Sequence, residues 1–328
     1  MELTYTDKNF KEKGYLRDVT IDIVLGQYGK QENDFELTIS SINRDSSFDE
    51  GSLFYWEGTE FGGMVENKKV DTSKNSLTFK GSTFRGMLEK EYIQPPTGSA
   101  YLVLKGEANT IIQQLIGNKF GDLFVVDDIG SSGITIDYQV RDLNLLEGIE
   151  KMLGKVNARL EISIKKDGKV HLKAVPIQDL SGSLQYDNSY QVHMLVETAK
   201  KPYNHVLALG KGELTERLRV NLYLQQDGTW GDNEYYTGLQ RKTYKHEDTN
   251  IEDIEELKEK AVEKVKEVNG TETLSVSFSS DDASLFDIVA AKEEITGISF
   301  KQPITQKILK GTIFREDKNI KIEYKVGE

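Results

Sequence analysis

Leu77-Thr78-Phe79-Lys80-Gly81-Ser82-Thr83-Phe84-Arg85-Gly86-Met87-Leu88-Glu89-Lys90-Glu91-Tyr92-Ile93-Gln94-Pro95-Pro96 is the stretch on which the fold turns. Leu77 to Lys80 reads as a short strand running straight into a helix. Ser82 is placed to cap that helix, because a serine hydroxyl accepts a hydrogen bond from an unpartnered N–H of the first turn. Phe84, Met87, Leu88 and Tyr92 recur at i, i+3, i+4 and i+8, one helical face. Pro95 and Pro96 end the helix and hold Gln94 extended, since a proline ring crowds the residue before it. Gly86 inside a helix costs about 1 kcal/mol against alanine, so a close neighbour is expected there. The stretch reads as a short amphipathic helix plugging one end of a β-rich domain. A sharper alternative is an anion site at its N-terminus, built from Arg85 and free backbone N–H groups.

Upstream of this stretch the pattern is antiparallel β. In Val19-Thr20-Ile21-Asp22-Ile23-Val24-Leu25 every odd position is apolar, a period of two, and Phe35-Glu36-Leu37-Thr38-Ile39 repeats it. Leu53-Phe54-Tyr55-Trp56 adds a strand, and Gly62-Gly63 marks a turn or bulge. Residues 1–100 thus form a first β domain.

Residues 101–182 read as a small α+β module. Thr110 to Ile116 is a short helix closed by Gly117, and Leu143 to Leu153 a second, with Leu146, Ile149, Met152 and Leu153 on one face. Leu123 to Val126 and Ile134 to Tyr138 are strands. Leu160 to Ile164 and Val170 to Lys173 flank an Asp167-Gly168 turn, a hairpin signature. Ser181-Gly182-Ser183 is a candidate linker.

Residues 183–328 return to β. Strands are expected over 190–197, 206–210, 217–224, 273–278, 288–292, 304–314 and 320–326. Gly210-Lys211-Gly212 permits a turn with positive φ. Residues 225–250 are a polar loop or irregular strands carrying Trp230, Tyr235 and Tyr236. Ile251 to Val268 is a charged helix with a narrow apolar stripe through Ile251, Ile254, Leu257 or Lys258, Ala261, Val265 and Val268, stopped by Asn269-Gly270. It lies on a sheet or, alternatively, against a neighbouring subunit. The fold class is mainly β with an α+β insert.

Composition narrows the chemistry. The 328 residues hold no cysteine, which excludes disulfides, thiolate metal sites and cysteine nucleophiles. The net charge of −12 argues against sequence-independent nucleic-acid binding, which relies on lysine and arginine at the phosphates. The N-terminus lacks the basic and apolar regions of a signal peptide, and no apolar run reaches the ~18 residues of a membrane span. His171, His193, His205 and His246 have no second ligand at metal spacing, so structural or surface roles are expected. Gly210-Lys211-Gly212 lacks the third glycine and the βαβ context of a dinucleotide site. Lys80-Gly81-Ser82-Thr83 lacks the upstream glycine of a phosphate loop. The adjacent acids Asp127-Asp128 and Asp281-Asp282 would point to opposite faces of a strand, which suits turns better than a shared catalytic centre. No Gly-x-Ser-x-Gly elbow occurs. Neither a catalytic centre nor a cofactor is expected.

The order strand, Gly81-Ser82-Thr83-Phe84-Arg85-Gly86-Met87-Leu88-Glu89-Lys90, extended Pro95-Pro96 resembles the tail hub proteins of Gram-positive phages, prophages and tail-like bacteriocins. Asn204-His205-Val206-Leu207-Ala208-Leu209-Gly210-Lys211-Gly212-Glu213-Leu214 is similar to the same family, as is the run from Asp287-Ile288-Val289 through Ile304-Thr305-Gln306 to Tyr324-Lys325-Val326-Gly327. The resemblance spans most of the chain. It implies two antiparallel β-barrel-like tube domains, 1–100 and 183–328, flanking the α+β module. It implies a homotrimeric ring between the tail tube on one face and the spike, tip or baseplate proteins on the other, with DNA only as passing cargo and no membrane anchor. Longer family members carry a cell-wall hydrolase after the hub. This chain ends just past its last barrel-like strand, so no such activity is expected of it. The competing reading is a carbohydrate-binding β module for host-surface recognition, with Trp230, Tyr235 and Tyr236 as stacking platforms.

Overall fold

The computed structural model describes residues 2–29, 33–40, 45–182, 185–186, 193–196, 203–226, 228–269, 274–277, 283–292, 299–314 and 317–326. Strand accounts for 45% and helix for 17%, so the protein is mainly β. The chain divides into two units: residues 1–195 with 275–327, and residues 196–274.

The first unit begins with β1 (Leu3–Thr6), β2 (Glu12–Tyr15), β3 (Val19–Gly26), β4 (Asp34–Ser40), β5 (Leu53–Trp56), β6 (Gly62–Asp71) and β7 (Ser76–Thr83). Helix α1 (Phe84–Leu88) and β8 (Tyr92–Ile93) follow. The α+β insert comprises β9 (Leu102–Glu107), α2 (Ala108–Ile116), β10 (Phe124–Val126), β11 (Thr135–Val140), β12 (Leu143–Asn144), α3 (Leu145–Gly154), β13 (Ala158–Ile164) and β14 (Val170–Pro176). After β15 (Gln185–Tyr186) and β16 (His193–Val196) comes the second unit, with β17 (His205–Leu209), β18 (Arg219–Leu224), β19 (Trp230–Gly231), β20 (Thr243–Glu247) and α4 (Ile254–Asn269). The chain then returns through β21 (Leu274–Ser277) to β22 (Ile288–Lys292), β23 (Ser299–Phe314) and β24 (Asp317–Val326).

The main sheet has eleven strands in the order β15-β22-β23-β3-β4-β7-β6-β5-β1-β2, with β24 also paired to β23. The period-two pattern of β3 and β4 sends Val19, Ile21, Ile23, Leu25, Phe35, Leu37 and Ile39 into the core. Phe35 packs edge-to-face on Phe54, and Phe48 lies tilted on Phe79. Strand β23 runs antiparallel to β3, pairing Gln306 with Gly26 and Ile313 with Val19. Strand pairing therefore crosses the boundary drawn in the sequence between 182 and 183. The strand path is open from β15 to β2, and no closed barrel forms among the described residues. The mainly β class with an α+β insert is what is found, without the two-barrel detail.

In the insert, β13 and β14 form the expected hairpin, pairing Ile164 with Val170 around Gly168, whose φ of +73° is the left-handed conformation the turn needs. Helices α2 and α3 bury Ile111, Ile112, Leu146, Ile149, Met152 and Leu153. The same cluster takes in Phe84, Met87 and Leu88 of α1 and Leu53 and Tyr55 of β5. The plug read in the sequence is thus a shared core.

In the second unit the sheet order is β19-β18-β17-β20, with β17 parallel to β20. Helix α4 buries Leu257, Ala261 and Val265, spaced by four, against Val206, Ala208, Val220 and Leu222. Leu257, not Lys258, belongs to the stripe. Asp253 Oδ1 accepts from the backbone N–H groups of Glu255 and Glu256, both at 2.9 Å, so the helix starts after Ile251, which is buried ahead of it. Ile254 and Val268 are 44% and 47% exposed, so these two members of the expected stripe face water. The second half of the linker, Ser183, the stop at Gly270 and the pair Asp281-Asp282 lie outside the described residues. The strands expected over 190–197 and 273–278 are described only over 193–196 and 274–277.

Candidate functional site

Thr83, Phe84, Arg85, Gly86, Met87 and Leu88 of the opening stretch form one buried junction around α1. Ser82 does not cap the helix, because it still belongs to β7, opposite Asp34 on one side and Met64 on the other. Capping passes to Thr83, whose Oγ1 accepts from Gly86 N–H at 3.2 Å and donates to the Asn33 carbonyl at 3.0 Å. The helix stops at Leu88. Tyr92, expected on its apolar face, instead joins β8, which pairs with β12, and is 58% exposed. Pro95 and Pro96 follow β8 as an extended exit, and Ser99 N–H reaches the Pro96 carbonyl.

Two glycines of the stretch are fixed by close approach. A Cβ on Gly86 would sit 2.1 Å from the Asn33 carbonyl oxygen. A Cβ on Gly81 would sit 2.0 Å from the Met64 carbonyl oxygen. Gly81 lies where β6 shifts register between Val65 and Asn67, a bulge centred on Glu66. Glu66 uses that position to accept from the Ser82 N–H at 3.2 Å and to pair with Lys90.

Arg85 is the centre of the junction. It is 1% exposed, donates from Nε to Glu60 Oε1 at 2.6 Å, and pairs through a terminal nitrogen with Glu150 of α3. Glu150 also accepts from the Tyr28 N–H at 2.9 Å. Asn33 Oδ1 accepts from Gly26 N–H at 2.8 Å, and its amide donates to Glu89 at 2.8 Å. Burial works against the Arg85 charge, and Glu60 and Glu150 more than offset it, so its pKa is raised. Burial pushes Glu150 up to about 7, against the pull of Arg85 and the Tyr28 N–H. Glu89 is also raised by burial. The Arg85 charge is spent on two internal carboxylates, which leaves no anion site at this five-residue helix. Glu60 and Glu150 were not singled out in the sequence. Glu150 carried a signal, as an acid between Leu146, Ile149 and Leu153 on the apolar face of α3.

The later residues are also structural. Asn204 clamps the start of β20, donating to the Gln240 carbonyl at 2.8 Å and accepting from the Lys242 N–H at 2.7 Å. His205 is 7% exposed, lies 2.8 Å from Thr243 Oγ1 and 3.1 Å from Asn221 Oδ1, and stacks on Tyr223. A Cβ on Gly210 would meet the Ile251 carbonyl at 2.9 Å, and Gly212 has the positive φ expected of the turn, +104°. His171 sits between Asp127 at 2.6 Å and Asp167 at 3.0 Å, with Lys165 also on Asp127. Among the described residues no group of three or more His, Asp or Glu is placed to hold a metal ion. Among the described residues no helix is long and apolar enough to cross a membrane.

The aromatics of the glycan reading are separated. Trp230 lines a groove of about 770 Å³ beside α4, with Glu259 and Val262. Tyr235 and Tyr236 pack edge-to-face on each other and do not line that groove.

No family model matches the chain, and no curated protein matches its sequence. Among solved structures, it is similar to the 43 kDa tail protein of prophage MuSo2 from Shewanella oneidensis, at TM-score 0.54 and 10% identity, over 100% of this chain and 98% of that one. Prophage tail protein gp18 from Listeria monocytogenes EGD-e matches at 0.50 and 12% identity, over 99% and 94%. A chain of the p2 virion baseplate in its activated conformation matches at 0.50 and 14% identity, over 100% and 99%. Along its whole length, the chain has the fold of phage tail and baseplate proteins.

Proposed function

We propose that this chain is a structural protein of a phage tail or tail-like particle, a hub at the tail tip or baseplate. The likeness to tail and baseplate chains over nearly their full lengths carries the reading. In it, three copies close into a ring that joins the tail tube on one face to the spike, fibre-bearing tip or baseplate proteins on the other. The β-rich segments 1–100 and 183–328 supply the tube-like layers, and the 101–182 insert sits outside the ring or near its exit. The open sheet supports this, because an unpaired edge strand is completed by a neighbouring copy at little cost. The acidic balance, three times −12 for a ring, repels a passing DNA backbone. The role is symmetry adaptation and plugging, and it needs neither catalysis nor a cofactor.

Light scattering over a concentration range, with the cognate tail tube protein added in a second series, tests the reading. A species near three times 37.1 kDa that is ring-shaped in negative stain is the expected result. A monomer at every concentration, with and without the tube protein, overturns it.

A further inference from the structure

A cavity of about 510 Å³ opens at the β2 end of the main sheet. Three aromatic side chains, Tyr15, Tyr55 and Trp56, and three carboxylates, Glu2, Glu12 and Glu57, line it. Sheet register explains the grouping. Thr4 of β1 is opposite Tyr15 of β2 on one side and Tyr55 of β5 on the other, so both tyrosines lie in one cross-strand row. Glu2 precedes Thr4 by two and falls on the same face. Trp56 and Glu57 continue from Tyr55 into the β5–β6 turn.

The rings and acids are in mutual electrostatic reach. Glu2 is the chief cause of a raised Tyr15 pKa, as a charge and as a hydrogen-bond partner, with Glu12 and Glu57 adding to it. Tyr55 is raised by burial first, then by Glu12 and Glu57. Among the described residues no lysine or arginine forms an ion pair with Glu2, Glu12 or Glu57. Among the described residues the one cation lining the cavity is Lys166, so the described walls carry three negative charges against one positive.

Aromatic faces and carboxylates around one cavity are the chemistry that receives an organic cation, through the ring quadrupoles and direct charge attraction. We propose that this cavity binds a lysine or arginine side chain of a partner protein segment. Two observations select that source. The carboxylates are hydrogen-bond acceptors, which ammonium and guanidinium N–H groups satisfy and a quaternary ammonium does not. The strand beside the cavity, β2, ends the strand order and among the described residues pairs with β1 alone, so an extended segment can add to its open edge and set alternate side chains over the Tyr15 face. The proposal is independent of the ring described above, since a monomer would bind the same group.

Trp56 is a built-in reporter, because the chain has two tryptophans and Trp230→Phe removes the other. N-acetyl-arginine amide is titrated into that variant while fluorescence is read, with neutral N-acetyl-citrulline amide and with tetramethylammonium chloride in parallel. A saturable change with the arginine probe, at a Kd of about 1–10 mM, is expected. The citrulline probe should bind at least tenfold more weakly. Glu12→Gln and Glu57→Gln, both at exposed positions, should each weaken the arginine probe about threefold. No saturation by about 100 mM, or equal responses to arginine and citrulline probes, overturns the proposal. Tighter binding of tetramethylammonium than of the arginine probe also overturns it, in favour of a quaternary-ammonium ligand.

Discussion

Arg159 of β13 donates from its Nε to Asp287 Oδ1 at 3.0 Å across 128 positions of sequence. Both are nearly excluded from water, at 6% and 1% exposure. Asp287 also accepts from the backbone N–H groups of Gln178 and Ser284, each at 3.0 Å. One carboxylate thus fastens the insert to the segment that leads into β22. Removing it leaves the buried Arg159 guanidinium with only the more distant Glu161 carboxylate, at 3.8 Å, and takes the acceptor from two backbone N–H groups. Asp287→Ala should cost about 3–5 kcal/mol in urea denaturation. Asp287→Asn, which keeps an acceptor oxygen, should cost less. An Arg159→Met, Asp287→Ala double variant should recover part of the loss, because the uncompensated charge is gone. Additive losses would show that the ion pair is not what holds the two segments.

The Arg85 junction makes stability depend on pH through Glu150. Burial raises the Glu150 carboxyl from 4.5 to about 7, with Glu60 and Glu89 adding to the rise and Arg85 and the Tyr28 N–H opposing it. The folded protein then holds this proton more tightly than the unfolded chain. Its contribution is fully present below pH 4.5 and is lost as the pH rises through 7. Glu150→Gln fixes the neutral form. Relative to the parent, this variant should gain roughly 1–3 kcal/mol between pH 5 and pH 8. Thermal melts at the two pH values check it, and parallel curves would remove Glu150 as the titrating group.

Much of this architecture was written in local pattern. The odd-position apolar residues of β3, the Asp167-Gly168 turn and the spacing of Leu257, Ala261 and Val265 each report on neighbours a few residues away, and each behaves as its period demands. What failed to show was decided at a distance. Ser82 has better cap chemistry than its position allows, because β4 and β6 hold it in the sheet. Tyr92 completes a helical period but is taken by β12. The pairing of β23 with β3 leaves no local trace, since Gln306 and Gly26 are brought together only when the sheet is built. The partners of Arg85 were half legible: Glu150 interrupts an apolar face, whereas Glu60 sits in an ordinary polar turn.

Gly86 and Gly81 test whether the opening stretch is constrained by packing or by helix propensity. Alanine is the better helix former by about 1 kcal/mol, so propensity alone makes Gly86→Ala stabilising. The Asn33 carbonyl, 2.1 Å from the Cβ position, forbids it without movement of a backbone that also receives Thr83. A loss of about 2–3 kcal/mol is therefore expected. Gly81→Ala meets the Met64 carbonyl at the bulge and should lose a similar amount. Chemical denaturation of both variants checks this, and a stabilised Gly86→Ala would mean that α1 can shift away from Asn33.

Glu107 should govern the acid side of the stability profile. As the N-cap of α2 it accepts from the Asn109 N–H at 3.0 Å and the Thr110 N–H at 2.8 Å. It also accepts from the Gly130 N–H at 2.9 Å, the Ser132 N–H at 3.0 Å and the Thr110 hydroxyl at 2.7 Å, and the Ser132 hydroxyl completes the set. The helix start and the loop before β11 are thus held by one carboxylate. Burial alone would raise its pKa, but the Ser132 and Thr110 hydroxyls and the surrounding N–H groups more than offset that and hold it far below 4.5. The sign is the reverse of Glu150. The unfolded chain takes up the proton first, so the stabilisation is present above pH 4.5 and is lost progressively as the pH falls below it. Glu107→Gln keeps the shape but replaces one acceptor oxygen by a donor facing other donors, and should cost about 2–3 kcal/mol at pH 7. The gap between parent and variant should close as the pH is lowered toward 3. A gap that stays constant in urea titrations from pH 7 to pH 3 would mean that the charge on Glu107 does not hold the loop.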